Sequence, residues 1–245
     1  MKKINLNFIF IFLILLLTVS CTKNLTGKTD NSPDWFYPDW AARAKYNTPI
    51  KVLDTDSALG RYSTKTKEIG LKDMARIHGH LCDGLIISYL EIKEASKKLF
   101  PDGIIDRTDL RAVSKNGPCW IDTVSMMTGA RINFGTLSID KSVGDGFIIQ
   151  RISTKQAYSV HLKPNIFPKK QADLEAKIRK LRAEGKPVNP KDIDKVEKMA
   201  NNLSKKLLNS LPDKILDLKL MPNYNFEFKF SVGKRGDIIN KNISH

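Results

Sequence analysis

Between Leu71 and Phe100, apolar residues recur at spacings of three and four: Met74, Ile77, Leu81, Leu85, Tyr89, Ile92 and Leu99. That is the spacing of one helical face. Gly79 and Gly84 interrupt the first half, so a break or a helix start is expected near His78–Asp83. Pro101-Asp102-Gly103 ends the helix, "DLRAVSK" has short strand character, and Asn116-Gly117-Pro118 is a turn. A second helix is predicted from about Cys119 to Thr128, closed by Gly129. The pattern then shortens to strands, "GTLSID", "GFIIQRIS" and "AYSVHLKP", with turns at Gly144-Asp145-Gly146 and Thr154-Lys155-Gln156. This reads as a meander-like antiparallel set. After Pro168 two charged amphipathic helices follow, "KKQADLEAKIRKLRAEG" and "KDIDKVEKMANNLSKKLLNSL", joined by Gly185–Pro190. They read as a helical hairpin, packed on the core or used in dimerisation. "YNFEFKFSV" alternates Tyr224, Phe226, Phe228 and Phe230 on one face, a half-buried strand, before a loose tail. The fold class is therefore α+β: helices on an antiparallel sheet, with a C-terminal hairpin and an additional strand.

The N-terminal pattern is different. Lys2 and Lys3 precede a continuous apolar run, Phe8 to Val19, shorter than the ~20 residues a bilayer span needs. Ser20 and Cys21 follow. This reads as a secretory signal peptide over 1–20. Its "LLLTVSC" end resembles a bacterial lipoprotein signal, with Cys21 lipidated as the first mature residue, although Thr18 stands where a branched apolar residue is usual. Cleavage without lipid, or a retained anchor, is the plainer alternative. The polar stretch behind Cys21 suits a tether over 21–34. The layout is then an α+β core over 35–168, the hairpin over 169–212, and a strand and tail over 213–245. Trp35, Phe36, Tyr37 and Trp40 form an aromatic cluster at the edge of that core.

With 245 residues and 41% hydrophobic content, the chain can bury one sizeable core. Lys+Arg is 41 against 26 for Asp+Glu, a formal net charge of +15. An exported protein rarely meets nucleic acid, so no nucleic-acid partner is expected. Attraction to an anionic membrane surface fits better, and a solvated lysine-rich face is the simplest account. The expected location is the periplasm or cell surface, membrane-anchored through lipid on Cys21.

Chemistry concentrates in "HGHLCDG", residues 78–84, which holds two of the four histidines and one of the three cysteines. If the segment is helical, His78 and Cys82 share a face and His80 points away. If it is a turn entering a helix, both imidazoles converge near the thiol. Cys119, at a helix start, has its thiolate favoured by the helix dipole, and Asp122 shares its face. Imidazole and thiolate together suit zinc or another borderline divalent metal. With Cys21 set aside, Cys82 and Cys119 could equally form a structural disulfide. The spacing leaves metal, disulfide and satisfied core all open. Lys115 and Arg131 are candidates for an anionic group, or plain surface residues. His161 is a cross-strand polar residue unless its strand faces the helix starts.

The segments His78-Gly79-His80-Leu81-Cys82-Asp83-Gly84 and Cys119, Asp122, Thr128-Gly129 and Gly135-Thr136-Leu137 resemble the FmdE family of formylmethanofuran dehydrogenase subunits over roughly 70–165. The resemblance implies an α+β core, often dimeric, with a metal held near the His/Cys motif. Carried over, the ligands fall on His78 or His80, Cys82 and Cys119, with Asp122 nearby; from the residues themselves, Asp122 and Asp83 are candidates for orienting groups or a general base acting on an unknown small substrate. Three departures stand out. Asp83 replaces the motif proline, Ala130 or Arg131 stands where a further cysteine often follows, and no cysteine-rich C-terminal finger is present. An exported, tethered form also argues against a place in a cytoplasmic molybdenum or tungsten complex. Two other readings remain: a redox pair of Cys82 and Cys119, and a non-catalytic assembly module working through the aromatic patch and hairpin.

Overall fold

A computed structural model describes residues 34–231; Cys21, the apolar run before it and the end of the tail lie outside these. Seven helices are found among the described residues: α1 (Asp39–Ala42), α2 (Leu71–His78), α3 (Asp83–Leu99), α4 (Pro118–Thr128), α5 (Lys169–Ala183), α6 (Pro190–Asn209) and α7 (Pro212–Ile215). The strands are β1 (Ile50–Leu53), β2 (Lys67–Ile69), β3 (Ile104–Asp106), β4 (Leu110–Ser114), β5 (Leu137–Ile139), β6 (Gly146–Arg151), β7 (Ala157–Leu162) and β8 (Leu216–Met221).

Helix α3 is the axis of the fold. Its apolar positions wrap most of the way round, and Leu85, Ile86, Tyr89, Leu90 and Ile92 are all fully enclosed. A helix apolar on most sides belongs in the middle. It packs on β6 and β7 of a five-stranded sheet on one side, and against α4 and α6 on others. The expected break falls between α2 and α3. Gly79 ends α2 in the left-handed region, φ 99°, which glycine enters without steric cost. The chain then runs extended through Cys82 into α3.

The five strands lie in the order β5-β4-β6-β7-β8, and a small second sheet has the order β2-β1-β3. The first sheet is not a simple meander. β5 lies parallel to β4, Ala112 opposite Leu137, on the side away from β6. The reason is α4, which carries the chain back over β4 as a parallel crossover requires. The β4–α4–β5 unit puts Cys119 at the carboxyl end of β4, where strand turns into helix.

The edge strand also differs from expectation. Leu216–Met221 forms it, pairing along all of β7. The aromatic alternation of 224–230 does not make a regular strand: only Phe230 bridges Ile139, and Phe228 and Phe230 are exposed. β5 is three residues long, and Ser138 Oγ accepts from Lys229 N–H where a backbone carbonyl would be needed to extend a ladder. The hairpin is packed on the core: Leu203, Leu207 and Leu208 of α6 belong to the same buried cluster as α3.

Candidate metal centre and adjoining cavity

The break between α2 and α3 and the start of α4 meet. His78 is the last residue of α2, Cys82 the residue capping α3, and Cys119 the second residue of α4. The helix starts approach closely because Gly84 has no side chain. A Cβ there would stand 3.0 Å from Cys119 Sγ.

Cys82 Sγ lies 3.5 Å from Cys119 Sγ. His78 Nε2 lies 3.6 Å from Cys119 Sγ and 3.9 Å from Cys82 Sγ. His80 also joins, with ligand atoms of His78, His80 and Cys82 all within 4.8 Å of one another. Its ring tilts 43° against that of His78, and it is the exposed member. The His78 side chain is only 5% exposed. His78 thus meets both cysteines and His80 meets Cys82, so both imidazoles gather near that thiol as the turn reading of the motif expects, while Cys119 joins through His78 and Cys82.

These separations fit a metal ion. Sulfur at ~2.3 Å and nitrogen at ~2.0 Å from a tetrahedral centre place their atoms about 3.5 Å apart for N–S and about 3.8 Å for S–S. A disulfide would need ~2.05 Å, and the two cysteines are free thiols.

The other ring nitrogen of His78 is committed. Nδ1 is 2.8 Å from Asp122 Oδ2. A carboxylate can only accept, so Nδ1 carries the proton and Nε2 is turned to the sulfurs. Metal-binding histidines are commonly oriented in this way. In the metal-free site, the Asp122 contact and then Cys82 raise His78 to about 9. The two thiols are coupled by one hydrogen bond: the bond to Cys119, then burial, pushes Cys82 up to about 12, while Cys119 is lowered chiefly by that same bond. Metal entry therefore has to displace protons.

Asp83 takes a different position from Asp122. Its Oδ1 accepts from Gly84 N–H and its Oδ2 from Gln171 Nε2 at 2.6 Å. Gln171 lies on α5, is wholly buried, and also donates to Glu175 Oε1. The hairpin is thereby tied to the centre at the position where the resembling motif has proline.

A cavity of about 780 Å³ opens beside this tie, bordered by Asp83, Gly84, Cys119 and Trp120 at one end and by α5 along its side. Lys115 is at its border, its ammonium 3.6 Å from the centre of the Trp120 ring. His161 reaches the cavity wall and pairs with Asp217 across the strands at 3.5 Å. Arg131 is exposed, rests on Phe134 and does not border the cavity. Sequence reasoning missed Trp120, Gln171, Glu175 and Arg179 as cavity and centre residues. The last three sit in a lysine-rich helix whose pattern reads as a solvated face, and nothing local marks them.

A protein-family model described as "FmdE, Molybdenum formylmethanofuran dehydrogenase operon" matches residues 77–217. A solved structure, of an FmdE-like protein of tungsten formylmethanofuran dehydrogenase type from Syntrophus aciditrophicus, is 15% identical. It has a TM-score of 0.38, covering 62% of this chain and 72% of that one. No curated protein matches the chain.

Proposed function

The chain belongs to the FmdE family through residues 77–217, and from that premise we propose a zinc-binding domain, exported, held at a membrane by lipid on Cys21 and acting on a small molecule. One observation carries the metal reading. Two sulfurs and His78 Nε2 stand 3.5–3.9 Å apart, with the far nitrogen of His78 fixed by Asp122. His78, Cys82 and Cys119 would hold the ion, with His80 beside them. Zinc is the d¹⁰ ion that suits mixed thiolate and imidazole donors, and supplies a Lewis acid.

The protein's own groups divide the remaining work. Asp122 keeps His78 in the tautomer that presents Nε2. Asp83 borders the cavity and, with two of its lone-pair positions taken by Gly84 and Gln171, keeps others to accept a substrate proton. Trp120 and the apolar wall limit water at the same end. A homodimer, as the resemblance implies, and a place in the periplasm or at the cell surface complete the proposal.

The test is metal analysis of full-length protein with and without Cys82→Ser. Stoichiometric zinc that is lost in the variant is expected. A wild type that carries no metal and takes none up ends the metal reading. A second reading rests on the 3.5 Å between the sulfurs: the two thiols lose two protons and two electrons to an oxidant and close a disulfide. Mass spectrometry of the alkylated protein, with and without prior reduction, separates the two.

A further inference from the structure

The cavity beside the centre has a built-in polarity of its own. Its floor and far wall are apolar and partly flat, from Ile87, Trp120, Leu162, Pro164 and Phe167. About 780 Å³ lies within the range of sites that enclose a small organic molecule. Charged groups lie around this apolar body, and acids and bases are not equally available.

The acids are committed. Glu175 accepts from Gln171 and Arg179, and Asp83 accepts from Gly84 N–H and Gln171, neutral donors that hold it at the metal end of the cavity and leave its charge in place. Asp145 pairs with Lys115, but its side chain is 85% exposed and stands in solvent. The bases are less well matched. Lys163 donates to the backbone carbonyl of Asp213, which leaves its charge unneutralised. Lys115 is held by the Trp120 face, and its one carboxylate partner among the described residues is the exposed Asp145, in a pairing of small worth. Two helices also start at this end, α3 at Asp83 and α4 at Pro118, and their N-terminal N–H groups favour negative charge. The whole chain, at +15, attracts anions over longer range.

We propose that this cavity binds a small carboxylate with a flat apolar body, the body against Trp120, Leu162 and Phe167 and the carboxylate on Lys115, exchanged for Asp145. The proposal deepens the metal reading, since it names the class of substrate offered to the centre, but the binding itself needs no metal.

The test uses full-length protein in mild detergent and two probes of the same shape, 2-naphthoate and the neutral 2-naphthamide. Affinities come from calorimetric titration, and partition into detergent is common to all variants. Saturable 1:1 binding of naphthoate is expected, at least tenfold tighter than naphthamide. Lys115→Met should reduce naphthoate to the naphthamide level. Lys205→Met, which removes a lysine likewise resting on an indole, that of Trp40 and outside the cavity, should change nothing. Equal affinity for the two probes, no binding of either, or an equal loss in both lysine variants would overturn the proposal. Zinc content measured on the same samples keeps the readings apart. Zinc present without discrimination between probes removes this inference alone, and discrimination without zinc removes the metal reading alone.

Discussion

At the residue scale, the centre depends on atoms that never touch the proposed ion. Asp122 fixes the tautomer of His78 by one 2.8 Å contact. Asp122→Asn keeps the shape and loses the charge, and zinc affinity is expected to fall about 10–100-fold. Competition with a chelator measures it. Glu91 makes a different point. It lies on the fully enclosed part of α3, where neither carboxyl oxygen has a partner at good hydrogen-bond geometry among the described residues and the backbone of Leu162 is a weak contact. Burial raises its pKa well above 4.5, and the backbone of Leu162 offsets only part of that. The unfolded chain therefore releases this proton first. As pH rises through about 4.5, the unfolded state gains and the fold is weakened, until the folded group also ionises. Glu91→Leu should raise stability at pH 7 by about 1–3 kcal/mol, the cost of an unmatched buried polar group. Denaturant midpoints of the two proteins should draw together as pH falls to about 4.

At the scale of elements, the hairpin's two helices do different jobs. α6 closes the core, with Leu207 fully enclosed. Leu207→Ala should cost about 2–5 kcal/mol, read as a fall in Tm, whereas a hairpin merely appended to the surface would lose within ~0.5 kcal/mol. α5 is almost wholly solvated apart from Gln171 and Ile178, yet it forms one side of the cavity and reaches Asp83. Helix periodicity read both helices and the α2–α3 break correctly, because each is set by local spacing and by glycine. It did not find that β5 runs parallel to β4. Short strands of similar pattern can pair in several orders, and α4 decides between them. Nor did aromatic alternation at 224–230 make a regular strand, since the pairing with β5 stops at one bridge, where Lys229 N–H turns to the Ser138 hydroxyl instead of a backbone carbonyl.

At the scale of the molecule, the domain is a basic body carrying a centre and a cavity on one side of α3. The proposed tethering rests on the N-terminal pattern and not on the described residues, among which no helix is long and apolar enough to cross a membrane. Cys21→Ser should move the protein from the membrane fraction to the soluble one while leaving its zinc content unchanged. Fractionation followed by metal analysis checks both halves of that statement, and retention of the variant at the membrane would rule out lipid on Cys21 as the anchor.

What the sequence determined by itself was the chemistry available and its local placing. Thiols stand at two helix starts and imidazoles at the helix end and turn before one of them, with glycine where the chain must turn, and the family was legible in those same two segments. Local spacing, capping and turn residues act over a few positions, so they survive being read one stretch at a time. Only the tertiary structure decided that Nε2 of His78 faces two sulfurs 37 residues apart. It alone brought Asp122 to one carboxylate role and Asp83 to another, and made Gln171 of a lysine-rich helix a neighbour of the centre. Those relations span 41 to 88 residues of chain. They exist because a buried α3 gathers distant elements around it, which no local pattern records.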